Sequence, residues 1–367
     1  MATTDAHAAH KPQAYIEIDT PLVSAQGWPL TLIELALNRG IEEHKLLRGT
    51  GIFRDDIAQK NVLLSPQQCF QLIHNAEKYN HHHDLAFLLG SRLLLDKYDP
   101  AHTALANAHN LQEALDIFIR YNSLLSPLLK ARLDYQKETL MLYWQDSCGA
   151  AECQHFLLEM IATALSSLAR WKSNAHVPWR FYFCSSKPDY IEQYHVHLPG
   201  NIQFNAPLNA MAIAREYLHR PWLEASPELL ISAQQQLATQ WQEAAVAQGF
   251  LVEVYDYLRC NIHNNIHNNI HNNIRSNMHS RTHKAPNLEQ SAADFGMSSA
   301  SFKRKLKKHN SCFQAQYDQV RKDLTLMWLD QGMWSTEQIA QNLHFYDVAN
   351  LRRAFKKWTG APVKPKA

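Results

Sequence analysis

The spacing of apolar residues predicts helices along most of the chain, and the pattern is clearest near the carboxyl end. Ile339, Ala340 and Leu343 fall on one helical face. Ser335 precedes them, with Gln338 three residues later, which is the spacing of a capping box. These residues predict a short helix that begins just after Ser335 and stops before residue 344.

A second helix is predicted after a break at residues 344–346, with Asp347 as its N-cap. Apolar residues then recur at three- and four-residue spacing as far as residue 358, and the other face is mostly cationic. The inward positions are Leu351, Ala354, Phe355 and Trp358. The outward positions are Val348, Ala349, Arg352, Arg353, Lys356 and Lys357. A short helix, a turn and a second helix with a basic face are typical of a helix-turn-helix unit.

The same design occurs about 50 residues upstream. A helix is predicted around residues 288–293, Gly296 supplies the turn, and Ser298 caps a helix over residues 299–309. Phe302 and Leu306 face inward, and five cations occupy six consecutive positions: Lys303, Arg304, Lys305, Lys307 and Lys308. Between the units, an apolar stripe over residues 313–329 predicts one rigid helix. Two such units on one rigid helix suit successive segments of the DNA major groove.

The first two thirds of the chain mix helix and strand patterns. The predicted helices are residues 30–38, 66–76, 85–95, 103–121, 156–171, 228–247 and 250–258, the second of them capped by Ser65. Residues 132–136 and 139–145 predict a hairpin, and residues 179–185 a third strand. The predicted architecture is mainly α, with an α+β N-terminal domain and a C-terminal tandem helix-turn-helix, homeodomain-like domain. We expect a polar tail at 1–25, an α+β domain at 26–258, a linker at 259–285 and the tandem domain at 286–362.

The predicted linker contains Asn-Ile-His-Asn three times within residues 261–280. As a helix, the repeat would bring His263, His267 and His271 to one side. Eight asparagines oppose that helix by about 5 kcal/mol relative to alanine, at roughly 0.6 kcal/mol each. We therefore prefer a partly ordered linker produced by repeat expansion, with zinc, nickel or copper binding by the histidines as the alternative.

The net charge of +2 conceals an asymmetry between the two ends of the chain. From Pro286 onward, 13 Lys and Arg stand against 7 Asp and Glu, which gives +6, and the rest of the chain carries 23 against 27, which gives −4. The excess positive charge therefore coincides with the helix-turn-helix units, as expected for a nucleic-acid partner.

Several other protein classes are disfavoured by the sequence. The six cysteines show no C-x-x-C spacing, which favours reduced thiols, and no signal peptide or long apolar run occurs. We therefore expect a cytoplasmic protein that does not contact a membrane. Catalytic and nucleotide-binding motifs such as G-x-G-x-x-G, G-x-S-x-G and H-E-x-x-H are missing from the sequence, so we expect no enzyme activity and no cofactor.

Two residue groups admit a functional reading, but a structural role is the simpler explanation. The strand aromatics Tyr135, Tyr143, Trp144, Phe181 and Phe183 could line a ligand pocket, although aromatics in strands more often form core. His81, His82 and His83 are adjacent and point in different directions on a helix, so a surface turn is favoured over a metal site.

The carboxyl-terminal residues resemble the DNA-binding domain of the AraC family of transcription regulators. The resemblance covers about 75 positions in family order and includes Ala292, Gly296, Arg304, Arg321, Phe345 and Gly360. It implies base reading by Ala300, Lys303 and Arg304 in the first unit and by Val348, Ala349, Arg352 and Arg353 in the second. We expect phosphate contacts from Ser299, Lys305, Lys307, Lys308, Lys356 and Lys357.

This sequence departs from the family pattern at two turns. His344 and Asn310 stand where the family usually has glycine, so each turn must accept a side chain. Asparagine tolerates a positive φ better than most residues do. The chain also lacks the arginine that commonly follows Pro362. We expect these departures to make DNA binding weaker or more dependent on a partner.

The N-terminal half resembles the effector-binding domain of one AraC subgroup, through short apolar motifs such as residues 50–52, 85–90, 113–115 and 204–206. The resemblance implies a small-molecule sensor without naming its ligand or pocket residues. The sequence thus predicts a transcription regulator whose partners are double-stranded promoter DNA, RNA polymerase, a small-molecule effector and a second copy of the chain. The alternatives are a metal-responsive regulator using the histidine repeat and a DNA-binding protein without an effector. Whether transcription is activated or repressed is left open.

Overall fold

The computed structural model describes residues 15–58, 62–94, 99–174, 176–243, 248–274, 285–332 and 334–363. Helices predominate, and the hydrophobic interior consists of two clusters, one in each half of the chain. Within the described ranges, no helix is both long and apolar enough to cross a lipid bilayer.

The first cluster is built on a layer of helices. Their bounds are α1 Trp28–Asn38, α2 Glu43–Leu46, α3 Arg54–Ala58, α4 Pro66–Tyr79, α5 Leu85–Leu93, α6 Pro100–Ala106, α7 Leu111–Arg120 and α8 Asn122–Leu125, with a two-strand ribbon of β1 Val23–Ser24 and β2 Leu63–Leu64. The predicted cap of α4 is confirmed, since Ser65 and Gln68 form a capping box. The single helix predicted over 103–121 is wrong: α6 ends at Ala106, and Asn110 caps α7 through the Glu113 amide.

A five-stranded sheet completes the N-terminal half. Its elements are β3 Leu129–Tyr135, β4 Thr139–Asp146, α9 Gln154–Ser173, β5 Trp179–Tyr182, α10 Ile191–His197, β6 Gly200–Gln203 and β7 Ala210–Ala214. The strand order is β3-β4-β7-β5-β6, and only the β5–β6 pairing is parallel. The predicted hairpin and the strand at 179–182 are confirmed, whereas β6 and β7 were not predicted.

The two faces of this sheet have different environments. Leu140, Leu142 and Trp144 on β4 point into the first hydrophobic cluster. Met141 and Tyr143 alternate with them and are half-buried on the opposite face. That second face is turned towards the carboxyl-terminal half of the chain, as the contacts described below show.

The remaining helices are α11 Pro227–Glu243, α12 Phe250–Ile274, α13 Leu288–Asp294, α14 Ser299–Lys308, α15 Phe313–Gln331, α16 Thr336–Asn342 and α17 Val348–Thr359. The first turns of α12 belong to the second hydrophobic cluster, where Phe250, Tyr255 and Leu258 are fully buried beside residues of α13 to α17. Residues 250–258, which the sequence assigned to the N-terminal domain, thus pack with the C-terminal helices.

The Asn-Ile-His repeat is helical at its start, contrary to the preferred partly ordered linker. Helix α12 continues through the repeat as far as Ile274, and residues 275–284 lie outside the described ranges. Packing of α12 up to the buried Ile262 explains this result, because extending an existing helix is far less costly than nucleating one.

Candidate nucleic-acid interface and interdomain groove

The first helix-turn-helix unit has the two-faced form that its sequence predicts. Ser298 caps α14 by accepting a hydrogen bond from the Ser301 amide at 3.1 Å. Phe302 and Leu306 are buried, and at most 1% of the surface of either residue is exposed. The predicted base-reading residues Ala300, Lys303 and Arg304 are exposed, together with Lys307, and this 3–4–7 spacing places them on one face of α14.

The second unit repeats this arrangement. Asp347 accepts a hydrogen bond from the Asn350 amide at 2.6 Å and so begins α17. Leu351 and Phe355 fill the core beneath it. Of the residues predicted to contact DNA, the exposed ones are Ala349, Arg352, Arg353, Lys356 and Lys357. Val348 is half-buried against the second cluster, so its contact surface is smaller than its predicted base-reading role suggests.

The two residues that replace the family's glycines, Asn310 and His344, both adopt a left-handed backbone conformation. Asn310 has φ +53° and His344 has φ +58°, so each turn keeps the conformation that glycine would adopt most easily. His344 is supported by its surroundings, because its carbonyl accepts a hydrogen bond from Arg321 Nη2 at 2.8 Å.

Arg321 fixes the second unit to the connecting helix α15. Its Nε donates to the Leu343 carbonyl at 2.9 Å, and its guanidinium lies 4.2 Å from the Phe345 ring centroid. One side chain therefore binds the turn between α16 and α17 through two hydrogen bonds and a cation–π contact. The sequence singled out Arg321 only through the family resemblance, and its anchoring role was not predicted.

Tyr346 is a second residue that the sequence analysis passed over. It lies in the turn before α17, and 95% of its surface is exposed. A large aromatic side chain this exposed, beside the cationic helix α17, is accessible to a nucleic-acid partner of the kind that the sequence predicts. The signal was present in the sequence as an aromatic immediately before the capping Asp347.

The first unit is also held by residues from the start of the chain. Glu17 Oε1 lies 2.8 Å from Lys305 Nζ, and Lys308 Nζ contacts Glu17 at 3.0 Å and Asp19 at 2.7 Å. Lys305 also lies over the Tyr15 and Phe250 rings. Burial alone would raise the pKa of Glu17, but the two lysines outweigh it and hold that pKa below its usual value. In this arrangement Lys305 faces protein, and the phosphate role predicted for it and for Lys308 stays a prediction.

A second contact joins the end of α14 to the loop after β4. His309 Nδ1 donates to the Cys148 carbonyl at 3.1 Å, and Asn310 Nδ2 donates to the Gly149 carbonyl at 3.0 Å. Gly149 has φ +83°, and a Cβ there would lie only 2.3 Å from the His309 carbonyl oxygen. The two backbones thus approach too closely for any side chain at position 149.

Helix α12 forms the central part of the contact between the halves. Arg132 on β3 pairs with Asp256 at 2.6 Å and lies over the Tyr255 ring. The Tyr255 hydroxyl donates to Asp323 on α15 at 2.9 Å. The sheet, α12 and α15 are therefore linked by a continuous series of polar contacts.

Beside α12, a groove separates the second face of the sheet from α15. One cavity in this groove has a volume of about 180 Å³, and its walls include Met141, Tyr143, Leu208, Leu326 and Met327. Two adjoining cavities of about 280 and 630 Å³ share Gln136 and Asp330 with it. The charged residues that line the first cavity are Asp134, Asp323 and Asp330, whereas the adjoining cavities also have Arg180, Lys137 and Glu138 in their walls.

The strand aromatics divide between core and groove. Phe181, Phe183 and Trp144 belong to the first hydrophobic cluster, as the structural reading predicted. Tyr143 lines the cavity of about 180 Å³, and the half-exposed Tyr135 lines the adjoining cavity of about 630 Å³. His83 stacks on Tyr190 at 4.7 Å, which gives it a packing role. No group of three or more His, Cys, Asp or Glu side chains suited to a metal ion occurs among the described residues.

Comparisons with known proteins place the chain among transcription regulators. Residues 40–222 match the family described as the arabinose-binding domain at the N-terminus of AraC transcription regulators. The chain is 24% identical over 330 residues to the ornithine utilization regulator of Pseudomonas aeruginosa, which covers 90% of this chain and 91% of that protein. The solved structure of the transcriptional regulator CdpR from Pseudomonas aeruginosa overlaps 91% of this chain and 96% of its own, with 14% identity and a TM-score of 0.39.

Proposed function

Because the chain is a transcription regulator of the AraC type with an effector-binding N-terminal domain, we propose that it binds promoter DNA sequence-specifically through α14 and α17. The observation that carries this proposal is the pair of capped helices, each with a buried apolar face and an exposed cationic face, joined by α15. Helices of this form read base edges in the major groove.

The exposed faces suggest a division of roles. Arg304, Arg352 and Arg353 present guanidinium groups suited to bidentate contact with guanine, and Lys303 with Ala300 completes the face of α14. Lys307, Lys356 and Lys357 supply charge for phosphate, with Ser299 near the start of α14. Arg353 Nη2 donates to the Asn350 side-chain oxygen at 2.7 Å, which holds the guanidinium beside the preceding turn of α17.

Enrichment of random duplexes by the purified full chain tests the proposal, and we expect one preferred motif with two half-sites. On that motif, Arg304→Ala and Arg353→Ala should each cost about 1 to 3 kcal/mol and relax the preference at one or two positions. Lys356→Ala is the matched control, since loss of a phosphate contact should weaken all sequences about equally. Recovery of unselected sequences would contradict the proposal.

The proposed partners are a small-molecule effector, RNA polymerase and a second copy of the chain. Symmetric pairing suits paired half-sites in DNA. Effector binding in the N-terminal half would change how the DNA-binding half is held, because the two halves meet at α12, α14 and α15. If saturating effector changed neither promoter affinity nor transcription, a DNA-binding protein without an effector would be the better account.

A further inference from the structure

Tyr346 differs from the other apolar side chains at the surface of the described residues. Its exposed fraction is 95%, whereas the other exposed large hydrophobic residues lie between 39% and 71%. Aromatic side chains usually contribute a large buried area to a core or an interface. Packing within the described part of the chain therefore does not explain an aromatic ring at this position.

The turn that carries Tyr346 is held on both sides. On one side, the Phe345 amide donates to the Ala340 carbonyl at 2.9 Å, and the Phe345 ring lies 4.2 Å from the Arg321 guanidinium. On the other side, Asp347 caps α17 by accepting from the Asn350 amide. The backbone of Tyr346 thus has a fixed position relative to α17, so a contact through its side chain requires little further ordering of the turn.

The position of Tyr346 is at the end of α17 that would enter DNA. It directly precedes the capping residue, and the predicted base-reading residues Val348 and Ala349 are the first two residues of the helix. When the N-terminal residues of a helix contact base edges in the major groove, the residue just before the helix lies beside the wall of the groove, where the phosphates are. A phenol hydroxyl is among the groups that donate hydrogen bonds to phosphate oxygens.

We propose that Tyr346 is a DNA-backbone contact, and that its hydroxyl donates a hydrogen bond to a phosphate oxygen at the edge of the groove that α17 enters. The inference rests on the proposed function, since it adds a residue to that interface. Phosphates are the same at every base pair, so Tyr346 sets the position of α17 on the duplex and does not select its sequence.

Titration of the full chain by fluorescence anisotropy tests the proposal on two duplexes, the enriched motif and a scrambled duplex of equal length. Tyr346→Phe keeps the ring and removes the hydroxyl, so both duplexes should bind roughly threefold to tenfold more weakly. The slope of log affinity against log salt should not change, because no charge is lost, whereas Lys356→Ala should reduce it by about 0.9. Tyr135→Phe removes a hydroxyl from a half-exposed tyrosine of the N-terminal half and should bind like the unchanged chain.

Three results would overturn the proposal. Unchanged affinity in Tyr346→Phe would exclude the hydroxyl, and if Tyr346→Ala then bound more weakly, the ring would make the contact. Weaker binding of the motif alone would make Tyr346 a base-reading residue. Unchanged DNA affinity with reduced transcription by purified RNA polymerase would mean that Tyr346 faces a protein partner.

Two further measurements separate this inference from its surroundings. Tyr346→Phe should unfold at the same temperature as the unchanged chain, since so exposed a side chain has little packing to lose. Failure to enrich any motif would contradict the proposed function, whereas the scrambled duplex would still measure the contact made by Tyr346.

Discussion

At the scale of single residues, His309 stands out because it follows the cationic helix α14 and yet is buried. It is completely buried, its Nδ1 donates to the Cys148 carbonyl, and its ring packs against Phe250. Burial lowers the pKa of this imidazole despite the hydrogen bond and the nearby Glu17, and Lys305 and Lys308 lower it further. The contact between α14 and the loop after β4 is therefore built around a neutral histidine.

This lowered pKa predicts a pH-dependent stability. Above the ordinary histidine pKa of about 6.5 the ring is neutral in both states, and as pH falls below that value the unfolded chain takes up the proton first. Stability is thus fully present above pH ~6.5 and is lost as pH falls through the folded-state pKa. The slope of the free energy of unfolding against pH measures how many more protons the unfolded chain binds than the folded chain does. In urea unfolding between pH 5 and 7, His309→Asn should reduce that difference by about one proton. The exposed His195→Asn is the control, and equal slopes in both variants would contradict the assignment.

At the scale of elements, helix starts were the most predictable feature because the signals that specify them are local. Ser65, Ser335 and Asp347 all cap the helices that their sequences predict. The exposed cationic face of α14 followed from its periodicity. Strand β7 was not predicted, since its Ala-Met-Ala-Ile-Ala sequence carries little strand preference of its own and depends on pairing with β4 and β5.

Long-range contacts explain three further features that were not predicted. The extension of α12 to Ile274 depends on tertiary packing of its first turns, which local asparagine preferences do not register. The ion pairs between Glu17 and the lysines of α14 join residues almost 300 positions apart, and no spacing rule brings such partners together. The groove escaped prediction for the same reason, because its walls come from β3, β4 and α15.

The attachment of the second helix-turn-helix unit to α15 predicts a local loss of stability in Arg321→Ala. Two charge-assisted hydrogen bonds to the Leu343 and His344 carbonyls disappear, together with the contact on Phe345. We expect about 2 to 4 kcal/mol less protection of the α16 and α17 amides in hydrogen exchange, with little change in α5 or α9. Arg321→Lys keeps the positive charge but lacks the planar guanidinium, so its amide protection should lie between that of the unchanged chain and that of Arg321→Ala. Uniform loss of protection across the chain would argue against a local anchor.

At the scale of the whole molecule, the N-terminal half holds the first helix-turn-helix unit by the side that does not carry the predicted base-reading residues. Lys305 and Lys308 face Glu17 and Asp19, whereas Lys303, Arg304 and Lys307 face solvent. The residues predicted to read bases and the residues that contact the N-terminal half therefore lie on different faces of one helix. The phosphate contacts expected of Lys305 and Lys308 compete with that same contact.

This competition predicts that removing the two carboxylates strengthens DNA binding. In Glu17→Gln with Asp19→Asn, Lys305 and Lys308 no longer have anionic partners, so each gains more from approaching a phosphate. The plot of log affinity against log salt should steepen by about 1 to 2, because each added phosphate contact contributes roughly 0.9 to the slope. Glu192→Gln with Glu216→Gln changes the net charge equally at exposed sites away from α14, and so separates the local effect from general electrostatics. If both double variants steepened the slope equally, net charge alone would explain the gain, and the lysines of α14 would have no specific share in it.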